Sequence, residues 1–377
     1  MRGTSRHPAL WALAIAVLAS GFFPGRSEGA EGKRVLIRAG IDSYYDDNLL
    51  EYSDNQIAVF RQGSSPDRYS IRSVDDLELD PALSVALENR IPGGRGWRMT
   101  LRGKGAFHDK NKTADFRSAS AEWRQSLSRG TSLAVRGYYL PRFYLRQLRD
   151  EDAPLVPTQY RRAEFALFIG SLSWRQRITP STSADVAYQF ENRDYNAGFV
   201  ERNSGTHQGE ARFAWARRPG GGSLQIRGGY RLANAKAADG DELPGAPPDD
   251  PDIGYHGLLA GLDGRANLAR GIAASLGYEL GTRDFTSKEP TDRYHYGRND
   301  VSHTVEAGLR WNVRRQWSLT GSYAYQRNKA RLGAVAPSSS EVGSYTGNRV
   351  GLGVEWSGVL WREARGREPV PDTIEGQ

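Results

Sequence analysis

The chain has 377 residues, 51 Lys+Arg against 44 Asp+Glu, no cysteine, and a mean hydropathy of −0.62. That polarity excludes a helical membrane protein, and the missing thiols exclude disulfides, thiolate metal sites and a lipidated N-terminal Cys. Acids are interleaved with bases and no basic block occurs, so nucleic acid is not expected as a partner.

The first thirty residues read as a secretory signal. Arg2, Arg6 and His7 precede an apolar run from Leu10 to Ala19, broken at Gly21-Phe22-Phe23-Pro24. Cleavage near Gly21 or near Gly29/Ala30 leaves a mature chain without a further long apolar run. Val35 to Tyr45 then alternates apolar Val35, Ile37, Ala39 and Ile41 with Arg38, Gly40 and Asp42, as a strand with one greasy face does. Val74 to Glu88 repeats the pattern with Leu77, Leu79, Leu83, Val85 and Leu87. Pro81 in its middle predicts a bulge or a local break.

After Pro92-Gly93-Gly94, Trp97, Met99 and Leu101 alternate with Arg98, Thr100, Arg102 and Lys104. Strand four carries Ala119, Ala121 and Trp123, and strand five Leu133, Val135 and Tyr139. Strand six, Tyr160 to Gln176, is irregular. Phe165, Leu167 and Ile169 share one parity while Leu172 and Trp174 take the other, which predicts a bulge near Gly170. Strands seven to nine run through Val186, Tyr188 and Phe190, then Phe213 and Trp215, then Ile226 and Tyr230. Strands ten to thirteen follow with Leu258 and Leu262, Leu276 and Tyr278, Leu309 and Trp311, then Trp317, Leu319 and Tyr323.

The last strand, Asn348 to Trp361, places Val350, Leu352, Val354, Trp356 and Leu360 on one face and Arg349, Gly351, Gly353, Glu355 and Ser357 on the other. A dozen residues exceed an ordinary soluble strand and suit a tilted membrane crossing. The connections alternate long and short throughout. The expectation is therefore all-β: a closed antiparallel transmembrane β-barrel of about fourteen strands over residues 31–361. Long loops lie outside, short turns on the periplasmic side, and residues 362–377 form a polar periplasmic tail.

The outward face is aliphatic in the middle with aromatics toward its ends, and Trp97, Trp123, Trp215, Tyr230, Trp311, Trp317 and Trp356 are the expected interface girdles. The inward face carries both signs of charge. Its pore-lining candidates are Glu78, Asp80, Arg98, Arg102, Lys104, Arg136, Glu210, Arg212, Arg227, Arg231, Glu279, Glu306, Arg310 and Glu355. Such charges either line a water-filled pore or pair across neighbouring strands and narrow it.

The alternating, aromatic-ending last strand resembles the closing strand of bacterial outer-membrane β-barrels, where it serves as the assembly signal. Tyr44-Tyr45-Asp46-Asp47-Asn48 is similar to the opening of barrel proteins that include ones found with exopolysaccharide export systems. The resemblance implies a porin-like barrel of the Gram-negative outer membrane. The implied partners are outer-membrane lipid and lipopolysaccharide, the assembly machinery, and small solutes or exported polysaccharide. No cofactor or metal is expected: Asp46-Asp47-Asn48, with Asp42 and Asp54 nearby, reads as an Asx-rich turn rather than a cation site. Catalysis is not expected either. His207 and His256 lie near loop ends without a spaced nucleophile, and Ser302 and His303 are adjacent on a strand and face opposite ways. The functional expectation is a passive channel for small hydrophilic, preferentially anionic, solutes. A plugged barrel with an envelope-structural or export-accessory role is the alternative, and a rim-site hydrolase comes third.

Overall fold

Period-two alternation specifies strands, and the computed structural model contains fourteen among its described residues. It describes residues 32–91, 95–149, 160–217, 221–234, 253–287, 295–332 and 344–362. The strands are β1 (Gly32–Asp46), β2 (Asp76–Ile91), β3 (Arg95–His108), β4 (Phe116–Ser126), β5 (Thr131–Arg149), β6 (Tyr160–Arg177) and β7 (Thr182–Tyr195). The second half comprises β8 (Ser204–Ala216), β9 (Ser223–Asn234), β10 (Tyr255–Ala269), β11 (Ile272–Phe285), β12 (Asn299–Asn312), β13 (Trp317–Arg331) and β14 (Tyr345–Arg362). Each pairs antiparallel with its sequence neighbours, and β1 pairs with β14 to close the barrel. Among the described residues no helix is long and apolar enough to cross a membrane. The expected signal segment and the expected tail fall on residues 1–31 and 363–377, which lie outside the described residues.

The apolar parity faces out all the way round, where Leu83, Val186, Leu258, Leu276 and Leu352 are all more than half exposed. Exposure on that scale is tolerated only against another apolar phase. Tryptophans mark the short-turn rim. Trp215 stands opposite Leu224, Trp311 opposite Ile272, and Trp317 opposite Trp356, which is in turn opposite Ala39. Tyrosines mark the other end: Tyr45, Tyr139, Tyr188, Tyr230, Tyr278 and Tyr323 are outward and exposed. Tyr230, expected in the same girdles as the tryptophans, thus belongs to the loop-side belt.

The bulge expected near Gly170 is corrected, whereas the local break expected at Pro81 is present. Gly170 carries no bulge, because β6 runs in unbroken register against β7. The irregularities fall on β5 instead, between Leu140 and Phe143 around Pro141 and between Tyr144 and Arg146. Phe165, Leu167 and Ile169 consequently keep their parity and face the lumen, while Leu172 and Trp174 face out. On β2, Pro81 causes no register shift against β1, and only the β3 ladder is interrupted between Leu79 and Ala82. A proline removes one donor, so a break without slippage is what its chemistry requires. On β14 the alternation slips near its end. Val359 opposes Leu36 and Trp361 opposes Val35, which leaves Leu360 as the extra residue.

The seam between β1 and β14 is locked by a stack. Gly351 lies opposite Tyr44, and a Cβ added there would overlap the Tyr44 ring, which lies flat across that glycine. The Arg349 guanidinium sits 4.0 Å above the ring centroid and ends 3.0 Å from Glu78 on β2. Thus β14 holds β1 directly and β2 through the arginine. Replacing Gly351 with Val should force the ring off its bed and cost about 1–3 kcal/mol. The expected readout is a lower temperature for conversion from the fast to the slow gel band. Adding Tyr44→Ala to that variant should recover part of the loss.

Candidate functional site

The inner face is built from the alternate residues of every strand, and ion pairs organise it. Glu88, 6 % exposed, receives Arg34 at 2.6 Å, Arg98 at 3.0 Å and Arg90 at 3.5 Å. Asp80 is met by Lys104 at 2.5 Å and by Arg349 at 3.8 Å. Glu355 bridges Arg310 at 2.6 Å and Arg38 at 3.6 Å, so this chain of charges also crosses the seam. Arg227 joins Glu279 at 2.9 Å and Asp263 at 3.7 Å. Glu210 pairs with Arg212, and Arg231 donates to Gln208 at 2.9 and 3.0 Å. Arg136 stands opposite Glu122 in the β4–β5 ladder. A carboxylate and a guanidinium this close bond each other through charge-assisted hydrogen bonds, and the pair braces the wall.

Arg349 stands opposite Asp46 on β1 and reaches across to Glu78 on β2, and Glu355 meets Arg38. Glu78 also lies 3.8 Å from His108, which is 2 % exposed and holds Asp115 at 3.2 Å. Neither His108 nor Arg34 stood out in the sequence. Each simply continues the inward parity of its strand, and that parity is the signal that could have found it.

Two cavities occupy the lumen and share Tyr44 and Ser322 as lining. The turn-side cavity, about 740 Å³, is lined by Arg38, Arg98, Arg102, Arg310 and Arg315 against only Asp42 and Glu355. The loop-side cavity, about 680 Å³, is lined by Asp46, Glu51, Glu78 and Glu306 against Lys104 and Arg349, with His108 between them. The lumen therefore carries a basic half and an acidic half in series. Of the candidates, Arg98, Arg102, Arg310 and Glu355 share the basic half, and Glu78, Lys104 and Glu306 the acidic half. Asp80, Arg136 and the β8–β11 set, Glu210, Arg212, Arg227, Arg231 and Glu279, line neither cavity.

The segment between β1 and β2 narrows the loop-side half. It contains helix α1 (Asp54–Gln62), which Ser53 and Gln56 start with a reciprocal capping box and Gly63 ends in the left-handed region at φ 65°. Leu50, Tyr52, Tyr69 and Ile71 from this segment pack on Tyr144 of β5 and Ala114 of the β3–β4 loop. Arg146 of β5 donates to the Leu50 carbonyl at 3.0 Å, and Asn48 donates to the Thr346 carbonyl of β14 at 2.9 Å. Burial pushes the Tyr52 phenol up. The Asx reading of this opening holds: the Asn48 amide donates to Asp46 at 2.9 Å, and Asp47 accepts from the Asn348 amide at 2.7 Å.

An aromatic row, two of whose members (Phe116 and Phe143) line the loop-side cavity, crosses adjacent strands. Phe116, Phe143, Phe165 and Tyr195 follow one another at centroid distances of 5.7, 5.3 and 5.0 Å, with Arg193 5.4 Å over Phe165. Phe165 belongs to the inward parity of β6. Its apolar face is inward because this row needs it there.

The histidines near the loop ends lie on the outer face. His207 bonds the Tyr188 hydroxyl at 2.7 Å and His303 the Tyr278 hydroxyl at 2.9 Å, while His256 stacks on Tyr230. All three occupy the same diagonal position in successive hairpins, which is an interfacial pattern. Ser302 points the other way and donates to the Gly281 carbonyl.

No family model matches the chain, and no curated protein matches it. It is similar in fold to a bacterial polysaccharide outer membrane secretin, at 10% identity over 84% of this chain and 97% of the other, with a TM-score of 0.43. The outer membrane channel DcaP of Acinetobacter baumannii is 12% identical over 88% and 99%, with a TM-score of 0.44. OmpT, an outer membrane protein of Vibrio cholerae, is 7% identical over 86% and 98%, with a TM-score of 0.41.

The rim itself depends on one carboxylate. Asp76, 1 % exposed, accepts from the amides of Leu77, Asp109, Lys110 and Asn111 and so shapes the β3–β4 loop. Beside it the Asp75 carboxyl is held down at about 2, first by the Ser73 hydroxyl and then by Lys110. Removing Asp76 strands several donors, each worth about 1–3 kcal/mol when buried. The Asp76→Ala variant should be cut by trypsin after Lys110 and Lys112 roughly tenfold faster than the parent, with the barrel itself intact.

Proposed function

We propose that the chain is an exported, porin-like channel of the Gram-negative outer membrane that passes small hydrophilic solutes. In this reading residues 1–30 are a removed signal and residues 362–377 a periplasmic tail. One observation carries it: a closed barrel with a lipid-compatible exterior encloses two charged cavities that share lining residues. Fourteen strands leave more interior than an eight-stranded barrel, whose side chains fill it. Anion preference follows from the five arginines of the turn-side cavity. A cation crossing that half is repelled, an anion is repelled in the acidic loop-side half, and in this reading the basic half sets the preference.

The second reading is a barrel closed by its own contents. Its support is the packing of Leu50, Tyr52 and Tyr69 against Tyr144, which fills part of the loop-side mouth. A rim-site hydrolase has no comparable support, since His207, His256 and His303 are engaged on the outer face.

Refolded protein in planar bilayers separates the first two readings. The channel reading expects stepwise conductance with anions favoured, and a silent membrane that nonetheless contains folded barrel supports the closed one. Replacing Arg98 and Arg102 together by Gln should lower the anion-to-cation permeability ratio by about two- to tenfold, with conductance retained. An unchanged ratio would remove the selectivity argument.

A further inference from the structure

Outward positions just beyond the loop-side tyrosine belt are acidic, neutral or internally paired around most of the barrel. Asp47 is held by Asn348, Asp75 by Lys110, and Asp284 lies 4.0 Å from His256. Strand β13 is different. Its outward parity runs Trp317, Leu319, Tyr323, Tyr325, and then Arg327, Lys329 and Arg331. All three basic residues are exposed, and among the described residues no carboxylate lies within ion-pairing distance of any of them.

Their cross-strand neighbours carry no acid. Arg327 stands opposite His303 on β12 and Thr346 on β14, Lys329 opposite Val301, and Arg331 opposite Asn299. Alternate strand residues are about 6.6 Å apart, so the three cations form a ladder about 13 Å long. Its foot is the tyrosine belt, where the Tyr323 hydroxyl donates to Asn348 at 2.8 Å.

We propose that this ladder is a binding site for the phosphate groups of an anionic, phosphorylated lipid headgroup in the outer leaflet. The inference rests on the membrane reading of the exterior, but not on whether the lumen conducts. Its height selects the occupant. A lipid whose acyl chains lie against Leu319 and Leu276 presents its headgroup where the apolar belt ends, and the ladder begins there. Three cations on one strand with no carboxylate partner among the described residues, and acids or paired groups at that level on β1, β2 and β11, give the site a direction. Lys and Arg placed near an anionic leaflet each add to membrane attraction, and the contributions fall off within a Debye length.

The test uses the full chain refolded in detergent, with lipid retention read by native mass spectrometry. The probes are diphosphorylated lipid A, the same lipid after enzymatic dephosphorylation, and inorganic phosphate as competitor. The parent should hold the diphosphorylated lipid at least about tenfold more tightly than the Arg327→Gln, Lys329→Gln, Arg331→Gln triple variant, and the two should hold the dephosphorylated lipid alike. A lumenal control, Arg98→Gln with Arg102→Gln and Arg136→Gln, loses the same charge and should bind like the parent.

Equal retention by parent and triple variant would overturn the proposal. So would competition by millimolar inorganic phosphate, which would mark a site for free anions. Insertion of the parent into lipid vesicles is measured alongside. If insertion fails, the membrane reading itself fails; if insertion succeeds while retention is equal, only the lipid site is lost.

Discussion

A sheet whose outer face meets hydrocarbon has no solvent to satisfy a free edge, and each unpaired N–H or C=O there costs several kcal/mol. The pairing of β1 with β14 is therefore the contact on which everything else depends. Closure makes an outward parity and an inward parity of every strand, and from that division follow the apolar belt, the two aromatic rims and the charged lumen. The glycines at the seam serve the same end. Gly351 makes room for Tyr44, and Tyr44 gives Arg349 a surface to cross on its way to Glu78.

The lumen solves a different problem. Charges on an inner wall are only partly hydrated, so most carboxylates there have taken a cationic partner, often on another strand. Glu88 gathers arginines from β1 and β3 as well as its own strand, and Glu355 gathers them from β12 and β1. Such pairs gain little stability over apolar packing but become expensive to break singly. What remains after pairing is uneven along the axis, basic toward the turns and acidic toward the loops. An asymmetric field of this kind makes the direction of an applied voltage matter to an ion that enters.

The strands were legible in the sequence because period-two alternation is a local property, and the fourteen expected are the fourteen present. The long-short rhythm of the connections gave the topology for the same reason. The two failures have physical causes. On β6, Phe165, Leu167 and Ile169 are apolar yet face the lumen in an unbroken register, and Phe165 joins an inward aromatic row from Phe116 to Tyr195. The folding of residues 48–74 against Tyr144 was invisible, since Gly- and Ser-bearing loops carry no periodicity and their contacts lie far off in sequence. Inward parity places Arg349 and Glu355 on the lumenal face of β14, but it does not show that Arg349 reaches over β1 to Glu78 on β2. Side-chain reach is not encoded in alternation.

The seam also bears on time. Asp47 and Asn348 are bonded although 301 residues apart, and Asn48 reaches Thr346 across 298. Contacts so distant in the chain form late, because the loop entropy is lost before any reward arrives. The first strand made is thus the last to be paired on its outer edge, and until β14 arrives it needs protection from any other available edge. Once the Tyr44–Arg349–Glu78 stack is set, opening the barrel must undo a ladder and a staple together. The same geometry that delays closure would then make escape slow, giving the wall a long lifetime rather than merely a low free energy.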